Sequence, residues 1–197
     1  MAISYYTMYA PELHHFLSGI LPAGNGENIQ AILQGAEELS YAKNEVIFPK
    51  GKIPHRLLFI VSGNVIALSH SLPNQMAKRF YTSGQLICPE GVFNNKPSAH
   101  SIIALDHCRG FSLSYSRITN FASDNPFGYR LTNSILSEEI SILQNRIDNF
   151  IEQTPMHRYQ LFLSDYKQVP NLVKSELIAS YLGISLSTLS RLKDQIR

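Results

Sequence analysis

The sequence predicts an α+β protein with an N-terminal double-stranded β-helix (a jelly roll), a long helix and a small helical C-terminal domain. Between about residues 39 and 115, short apolar runs alternate with turn residues, which indicates an all-β sandwich or barrel. A helical run without Gly or Pro extends over residues 131–154, and two further helical segments flank Gly183. Because no long helix interrupts the β-rich run, we do not expect a parallel sheet with helical crossovers.

Before the β-rich block, residues 11–38 have mostly helical periodicity and contain a break at 22–26. We therefore expect two short helices there. Within the block, Gly51, Gly63 and Gly84 lie between apolar runs. They are predicted to be turn residues with positive φ, which glycine adopts without a steric penalty.

The long helix is predicted over residues 126–153, with Pro126 in its first turn. Apolar side chains recur in it at alternating intervals of four and three residues, the a/d pattern of a coiled-coil seam. We predict that this seam pairs two subunits through Leu136, Ile140, Leu143, Ile147 and Phe150.

A single helix that lies on its own domain core gives the same spacing, so the pattern leaves that alternative open. Charged residues make up only 16% of the chain, and a buried dimer helix would account for part of this low content. Ile135, Ile142 and Ile151 flank the seam, and we expect them to pack on the β domain.

Charge is distributed unevenly along the chain. The net charge of the whole chain is +2, but residues 154–197 carry six basic and three acidic side chains, a net +3, and residues 1–153 carry a net −1. A basic end on a nearly neutral body is a weak indication of an anionic partner for that end. Ordinary fluctuation in composition would give the same numbers.

The end of the chain has the pattern of a helix-turn-helix. Such a motif needs a small residue where the second helix crosses the first, and a turn residue four positions later. Ala179 and Gly183 meet these requirements, and Ser185 is a good N-cap for the second helix. The apolar residues that would fix the crossing are Leu177, Ile178, Leu182, Ile184, Leu189 and Leu192.

The second helix presents side chains that suit the major groove of DNA. Ser and Thr near a helix start donate to phosphates or base edges, and an Arg two turns along can reach guanine. Leu186 can contact a thymine methyl group. An ordinary αα-hairpin is the alternative. The predicted DNA-binding residues are Ser185, Leu186, Ser187, Thr188, Ser190, Arg191 and Lys193.

Several other protein classes fit poorly. The start of the chain lacks the pattern of a signal peptide, and no 18-residue apolar stretch is present, so we expect a cytoplasmic protein without a membrane span. Cys88 and Cys108 are too few for a metal site, and no HxH spacing occurs. A cupin-type enzyme would need clustered His and Glu ligands, so we expect neither enzymatic activity, nor a bound metal, nor a cofactor.

The run LIASYLGISLSTLSRLK resembles the helix-turn-helix of the Crp/Fnr family of bacterial transcription regulators. Two β-rich runs, GKIPHRLLFIVSGNVIAL and GQLICPEGVFNNKPSAHSIIAL, resemble more loosely the cyclic-nucleotide-binding β-roll of that family and its phosphate cassette. The resemblance covers nearly the whole chain and follows the same order of elements.

The resemblance implies three parts: a cyclic-nucleotide-binding-like sensor domain at 1–125, a dimerisation helix at 126–153 and a winged-helix-like DNA-binding domain at 154–197. It further implies a homodimer that binds double-stranded DNA at a roughly palindromic operator, with RNA polymerase as a further partner. A sensor that regulates a protein partner instead of DNA is the alternative function.

The cassette departs from the pattern of the family. Relatives that bind cyclic nucleotides place a Glu on the ribose and an Arg on the phosphate, but no Arg or Lys lies between Lys96 and Arg109 here. A buried phosphate without a cation is poorly compensated. We therefore predict no ordinary response to cyclic AMP and leave the small-molecule effector open. The expected pocket residues are Gly84, Glu90, Ser98 and Ser101.

Overall fold

The computed structural model describes residues 10–21, 26–71, 74–124 and 126–196. The predicted mixed α+β fold is confirmed. The strands are β1 (Ala36–Tyr41), β2 (Val46–Phe48), β3 (Arg56–Ser62), β4 (Val65–Ser71), β5 (Asn74–Tyr81), β6 (Leu86–Ile87), β7 (His100–Ala104) and β8 (Cys108–Ser114). The helices are α1 (Pro11–Ile20), α2 (Gly26–Leu33), α3 (Tyr115–Asp124), α4 (Pro126–Glu152), α5 (Pro155–Asp165), α6 (Ser175–Leu182) and α7 (Leu186–Ile196).

The strands form two four-stranded antiparallel sheets packed face to face. The strand orders are β1-β8-β3-β6 and β2-β7-β4-β5. Apolar side chains between the sheets, among them Leu58, Ile60, Ala67 and Ile102, form one buried core. The predicted turn glycines have positive φ, with 80° at Gly51, 99° at Gly63 and 84° at Gly84.

The strand β1 begins earlier than the sequence predicts. Residues 36–38 were assigned to the helical start, but they pair with β8 in the order Ala36 to Leu113, Glu37 to Ser112 and Glu38 to Phe111. Ala and Glu favour helix in isolation, yet the ladder with β8 supplies backbone partners that override this propensity.

Helices cover the outer faces of both sheets. On the first sheet, α1, α2 and the start of α4 bury a core that includes Leu17, Phe59 and Phe127. On the second sheet, the C-terminal helices share a core with β4 and β5. In that core the ring of Phe80 lies 5.7 Å from Phe162 and 5.0 Å from Tyr181. The helix-turn-helix is therefore packed directly on strand β5.

The predicted seam of α4 is largely exposed to solvent. Exposed fractions are 65% for Ile140, 54% for Leu143, 51% for Ile147 and 39% for Phe150, and Leu136 is half-buried. Ile140, Leu143 and Ile147 thus lie away from the core of their own subunit. Tyr129, one heptad before Leu136, extends the exposed stripe and is 65% exposed.

The residues that flank the seam divide into two groups. Ile135 is buried and Ile142 is half-buried, as expected. The prediction is wrong for Ile151, which is 77% exposed. Ile151 lies sixteen residues after Ile135, which places it about 160° away around a helix of 3.6 residues per turn. It therefore faces away from the β domain.

Candidate nucleic-acid interface and effector pocket

The turn between α6 and α7 has the geometry that the sequence predicts. Gly183 adopts the left-handed conformation, with φ 66° and ψ 37°, and its N–H donates to the carbonyls of Ala179 and Ser180. The Ile184 N–H also donates to the Ala179 carbonyl, at 3.1 Å. Glycine occupies this conformation at little cost, so it ends α6 and reverses the chain within a few residues.

The crossing of the two helices is held by a small apolar core. Ala179, Leu182, Leu189 and Leu192 are buried. The small side chain of Ala179 allows α7 to approach α6 closely. Gly183 also contacts α4, because a methyl group built on it would lie 2.7 Å from the Phe150 ring.

Ser185 caps α7 as predicted. Its Oγ accepts a hydrogen bond from the Thr188 N–H at 3.0 Å, and it lies 2.8 Å from both Ser187 Oγ and Thr188 Oγ1. The cap leaves other N–H groups at the start of α7 free of intrahelical partners, and such groups attract phosphate.

The exposed face of α7 carries most of the predicted DNA-binding residues. Ser187, Ser190 and Arg191 are exposed, Thr188 is half-buried, and 47% of Leu186 is accessible. The buried Leu189 and Leu192 lie on the opposite face. Arg191 forms no ion pair among the described residues.

The structure places Lys193 at the edge of that face. Its Nζ donates to Ser175 Oγ at 2.8 Å, and its side chain is half-buried. Lys193 therefore joins α7 to the first turn of α6. A cation at this junction suits a phosphate that approaches both helices, and not a base edge.

Sequence reasoning missed Asp194. This exposed residue lies seven positions after Ser187, so it shares the face of Ser187 and Ser190. Its spacing of seven residues from Ser187 indicates from the sequence alone that both side chains lie on one face of the helix. A carboxylate on this face repels phosphates and accepts a hydrogen bond from the cytosine N4 amino group.

A cavity of about 700 Å³ lies between the β-sandwich, α4 and the C-terminal helices. Glu90 and Ser98 line it, as expected for pocket residues. Gly84 and Ser101 lie outside its lining: Gly84 forms the turn before β6, and Ser101 Oγ accepts from the Lys50 N–H at 3.2 Å. The cavity thus includes two of the four predicted residues.

Hydrogen bonds within the cassette occupy both of these pocket residues. Glu90 Oε2 lies 2.6 Å from His100 Nδ1 and accepts from the Ala99 N–H at 3.1 Å. Ser98 Oγ donates to the His100 carbonyl at 2.9 Å and accepts from the His100 N–H at 3.2 Å. Both contacts of Glu90 use Oε2, and its side chain is 53% exposed.

The cations of the cavity come from elements other than the cassette. Arg79 on β5 pairs with Glu139 on α4 at 2.6 Å, with only 15% and 20% of their side chains exposed. Arg146 on α4 donates to the carbonyls of Lys78 and Tyr181, and its guanidinium lies 4.3 Å from the centre of the Tyr181 ring. These contacts join β5, α4 and α6 around one cavity.

Besides Lys78 on β5, the lining contains one further cation, Arg158 on α5. It donates to the Gln153 carbonyl at 2.7 Å and to the Leu182 carbonyl at 3.3 Å. Its guanidinium lies 5.1 Å from the centre of the Phe150 ring. Among the described residues, neither Arg146 nor Arg158 forms an ion pair. Both positive charges therefore face the cavity without a carboxylate partner.

Burial keeps two ionisable groups of the cavity, Cys88 and Tyr81, neutral. Desolvation raises the pKa of the Cys88 thiol and of the Tyr81 hydroxyl, and the nearby Arg79 only partly offsets this. Both groups stay protonated at neutral pH, so the thiol is a weak nucleophile.

In the described part of the chain, no group of three or more His, Cys, Asp or Glu side chains is arranged to hold a metal ion. Within the same residues, none of the helices has the length and apolar character that crossing a membrane requires.

Comparison with known proteins shows that the β-sandwich is similar to a family of domains. Residues 38–125 match the family model of the cyclic nucleotide-binding domain. No curated protein matches the chain.

Solved structures of bacterial regulators share the fold. FixK2 from Bradyrhizobium japonicum is 19% identical with a TM-score of 0.69, and the match covers 82% of this chain and 84% of that one. The c-di-GMP responsive global regulator CLP from Xanthomonas campestris is 17% identical with a TM-score of 0.63, and the match covers 86% of this chain and 90% of that one. The catabolite activator protein of Thermus thermophilus is 15% identical with a TM-score of 0.55, and the match covers 91% of this chain and 86% of that one. The predicted resemblance to Crp/Fnr-type regulators is thereby confirmed.

Proposed function

We propose that this protein is a homodimeric, sequence-specific DNA-binding transcription regulator of the Crp/Fnr type. The observation that carries the proposal is the α6–α7 pair, in which a left-handed Gly183 and a buried crossing leave Ser187, Ser190 and Arg191 exposed on one face. A helix presented in this way fits the major groove of B-DNA.

Pairing through α4 supplies the symmetry that such a regulator needs. The exposed stripe of Ile140, Leu143 and Ile147 is too apolar to face water along its whole length. Two copies that bury it against each other form a two-fold dimer, and its recognition helices read half-sites about 34 Å apart. The operator is then roughly palindromic.

The residues of α7 have different roles in this proposal. Arg191 reads a base, most simply guanine through O6 and N7. Lys193 contacts a phosphate, together with the first turns of α6 and α7. Leu186, which is exposed at the start of α7, contacts a thymine methyl group.

The effector of this regulator is not cyclic AMP bound in the usual way. The ribose-binding acid would be Glu90, but its carboxylate is engaged by His100 and by the Ala99 N–H. Neither Arg nor Lys occurs in the segment from Pro97 to Cys108. As in related regulators, RNA polymerase is the expected protein partner.

Selection of bound sequences from random DNA by the purified protein tests the proposal. We expect enrichment of a two-fold symmetric site whose half-sites are about one helical turn apart. Arg191→Ala serves as the matched variant and should lose the preference at one base pair in each half-site. If the DNA bound by the wild-type protein shows no enriched sequence, the protein does not bind DNA sequence-specifically. That result would favour regulation of a protein partner instead.

A further inference from the structure

A second cavity opens at the opposite edge of the sandwich, where edge strands β1 and β2 face each other. Its volume is about 700 Å³, and Ser98 stands in the wall of both cavities. Clefts of roughly 300–1,000 Å³ hold small molecules in proteins. The cavity reaches the β2–β3 loop and the first turn of α3 but contacts neither the recognition helix nor the seam of α4.

Positive charge dominates the lining of this cavity. Lys52, Arg56 and Arg117 line it, with Glu37 as the one carboxylate among its lining residues. Among the described residues, Lys52, Arg56 and Arg117 form no ion pair. With three cations and one carboxylate, the lining carries a net positive charge.

Arg56 is held in place by neighbours that leave its charge intact. Its Nη2 donates to the hydroxyl of buried Tyr41 at 3.1 Å, and its guanidinium lies 5.6 Å from the centre of the Phe48 ring. These contacts fix the planar guanidinium but use only part of its donors, since Arg carries five N–H groups. The remaining donors are available to a ligand.

Arg117 reaches the same cavity because residue 35 is glycine. Its side chain passes directly over Gly35, so that a methyl group built there would overlap Nη1 and contact Cδ at 3.1 Å. Gly35 thus keeps open the path that brings a second guanidinium to the cavity from a separate element, α3.

The rest of the lining is mixed, with polar side chains such as Gln34 and Ser112 and an apolar part. Ile47, Phe48, Ile53 and Pro54 form a hydrophobic wall beside the cations, and Ile53 is 36% exposed. Two guanidiniums next to an apolar wall suit a molecule with an anionic group at one end and a hydrocarbon body at the other.

We propose that this cavity binds a small organic anion whose carboxylate or phosphate group pairs with Arg56 and Arg117 and whose apolar part packs on Phe48 and Ile53. The proposal is independent of DNA binding, because its residues lie outside the α6–α7 pair and the α4 seam.

Titration of the ¹⁵N-labelled full chain at constant ionic strength tests the proposal. The probes are phenyl phosphate and benzoate, which distinguish a phosphate from a carboxylate, and neutral phenol. We expect saturable changes in the amide chemical shifts of Gly35, Arg56 and Ser112 with at least one anion. The dissociation constant of phenol should be about tenfold larger than that of this anion, or more.

Two variants remove the second guanidinium by different routes. Arg117→Gln deletes its charge, and Gly35→Ala keeps every charged side chain but displaces Arg117. Each should raise the dissociation constant of the bound anion about tenfold. The matched control is Arg109→Gln, which removes an exposed arginine on β8, outside the cavity. It should leave the affinity for the anion unchanged.

Either of two results would overturn the proposal. One is the absence of saturable shifts at these amides with both anions. The other is equal affinity in the wild type, Arg117→Gln and Gly35→Ala, since binding would then not depend on the guanidinium. The fold of each variant is checked by its amide spectrum, and Gly35→Ala is expected to fold because only the flexible end of Arg117 must move.

Discussion

Arg191 and Lys193 lie two positions apart on α7, yet the structure gives them different surroundings. Arg191 is exposed without an ion-pair partner among the described residues, whereas Lys193 donates to Ser175 Oγ. A free guanidinium can form a bidentate contact with guanine, but an ammonium held between two helices acts as a point charge for a phosphate.

Arg191→Ala should weaken binding to the selected operator by about 1–3 kcal/mol and relax the preference at one base pair. The loss arises because the bidentate base contact disappears. Fluorescence anisotropy on the operator and on a single-base variant measures it. Equal affinity of wild type and variant on the operator would remove Arg191 from base reading.

Lys193→Ala should weaken binding to all DNA sequences by a similar factor. If Lys193 contacts one phosphate, the slope of log affinity against log salt becomes shallower by about one unit. Anisotropy titrations over a range of salt concentrations give this slope. A change in base preference without a change in slope would assign Lys193 to a base edge.

Glu90 and His100 determine a further prediction at the residue scale. Because the cassette has no Arg or Lys from Pro97 to Cys108 to pair with a cyclic phosphate, and Glu90 Oε2 already accepts from His100 and from the Ala99 N–H, we expect cyclic AMP to leave the thermal unfolding midpoint unchanged. A ligand at 100 times its dissociation constant would stabilise the fold by about 2.7 kcal/mol. A reproducible rise in Tm with cyclic AMP would contradict the account of the cassette.

At the scale of elements, α4 has one buried face and one exposed apolar face. Its exposed stripe runs from Tyr129 to Phe150, and Ile135 on another face is buried against the β domain. The same helix therefore packs on its own sensor domain through one face and is available to a partner subunit through the other.

Leu143→Glu should convert the dimer to a monomer, because it places like charges opposite each other at the centre of the seam. Analytical ultracentrifugation measures the mass. Ser141→Glu adds the same charge at an exposed position on the other side of α4 and should leave the dimer intact. A Leu143→Glu protein that sediments like the wild type would exclude this seam.

Local patterns in the sequence predict some elements well and others poorly. The turn at Gly183, the Ser185 cap and the Ala179 crossing depend on neighbours a few residues away, so spacing alone indicates them. The start of β1 at Ala36 depends on pairing with Leu113, which is far away in the sequence. The predicted position of Ile151 on the β-domain side is wrong because sixteen residues of helix rotate it about 160° from Ile135.

The cations of the cavity beside α4 show the same limit. Arg79, Arg146 and Arg158 come from β5, α4 and α5, and no sequence interval relates them. The cassette pattern covers only residues 84–101, so it does not indicate these arginines. The fold brings them together because the C-terminal helices pack on β5.

At the scale of the whole molecule, the β-sandwich and the C-terminal helices share one core. Phe80 of β5 contacts Phe162 and Tyr181, and Ser180 Oγ accepts from the Ala77 N–H at 3.0 Å. Arg146 joins the same elements through the carbonyls of Lys78 and Tyr181. A ligand in the cavity would therefore contact residues that position the recognition helix.

The measurement that tests the central claim most directly is the ratio of affinities of the wild-type dimer for its selected operator and for unrelated DNA at physiological salt. We predict that the operator is bound at least about 1,000-fold more tightly, as is typical of specific DNA-binding proteins. Equal affinity for both DNAs would contradict the assignment of α7 as a sequence-reading helix.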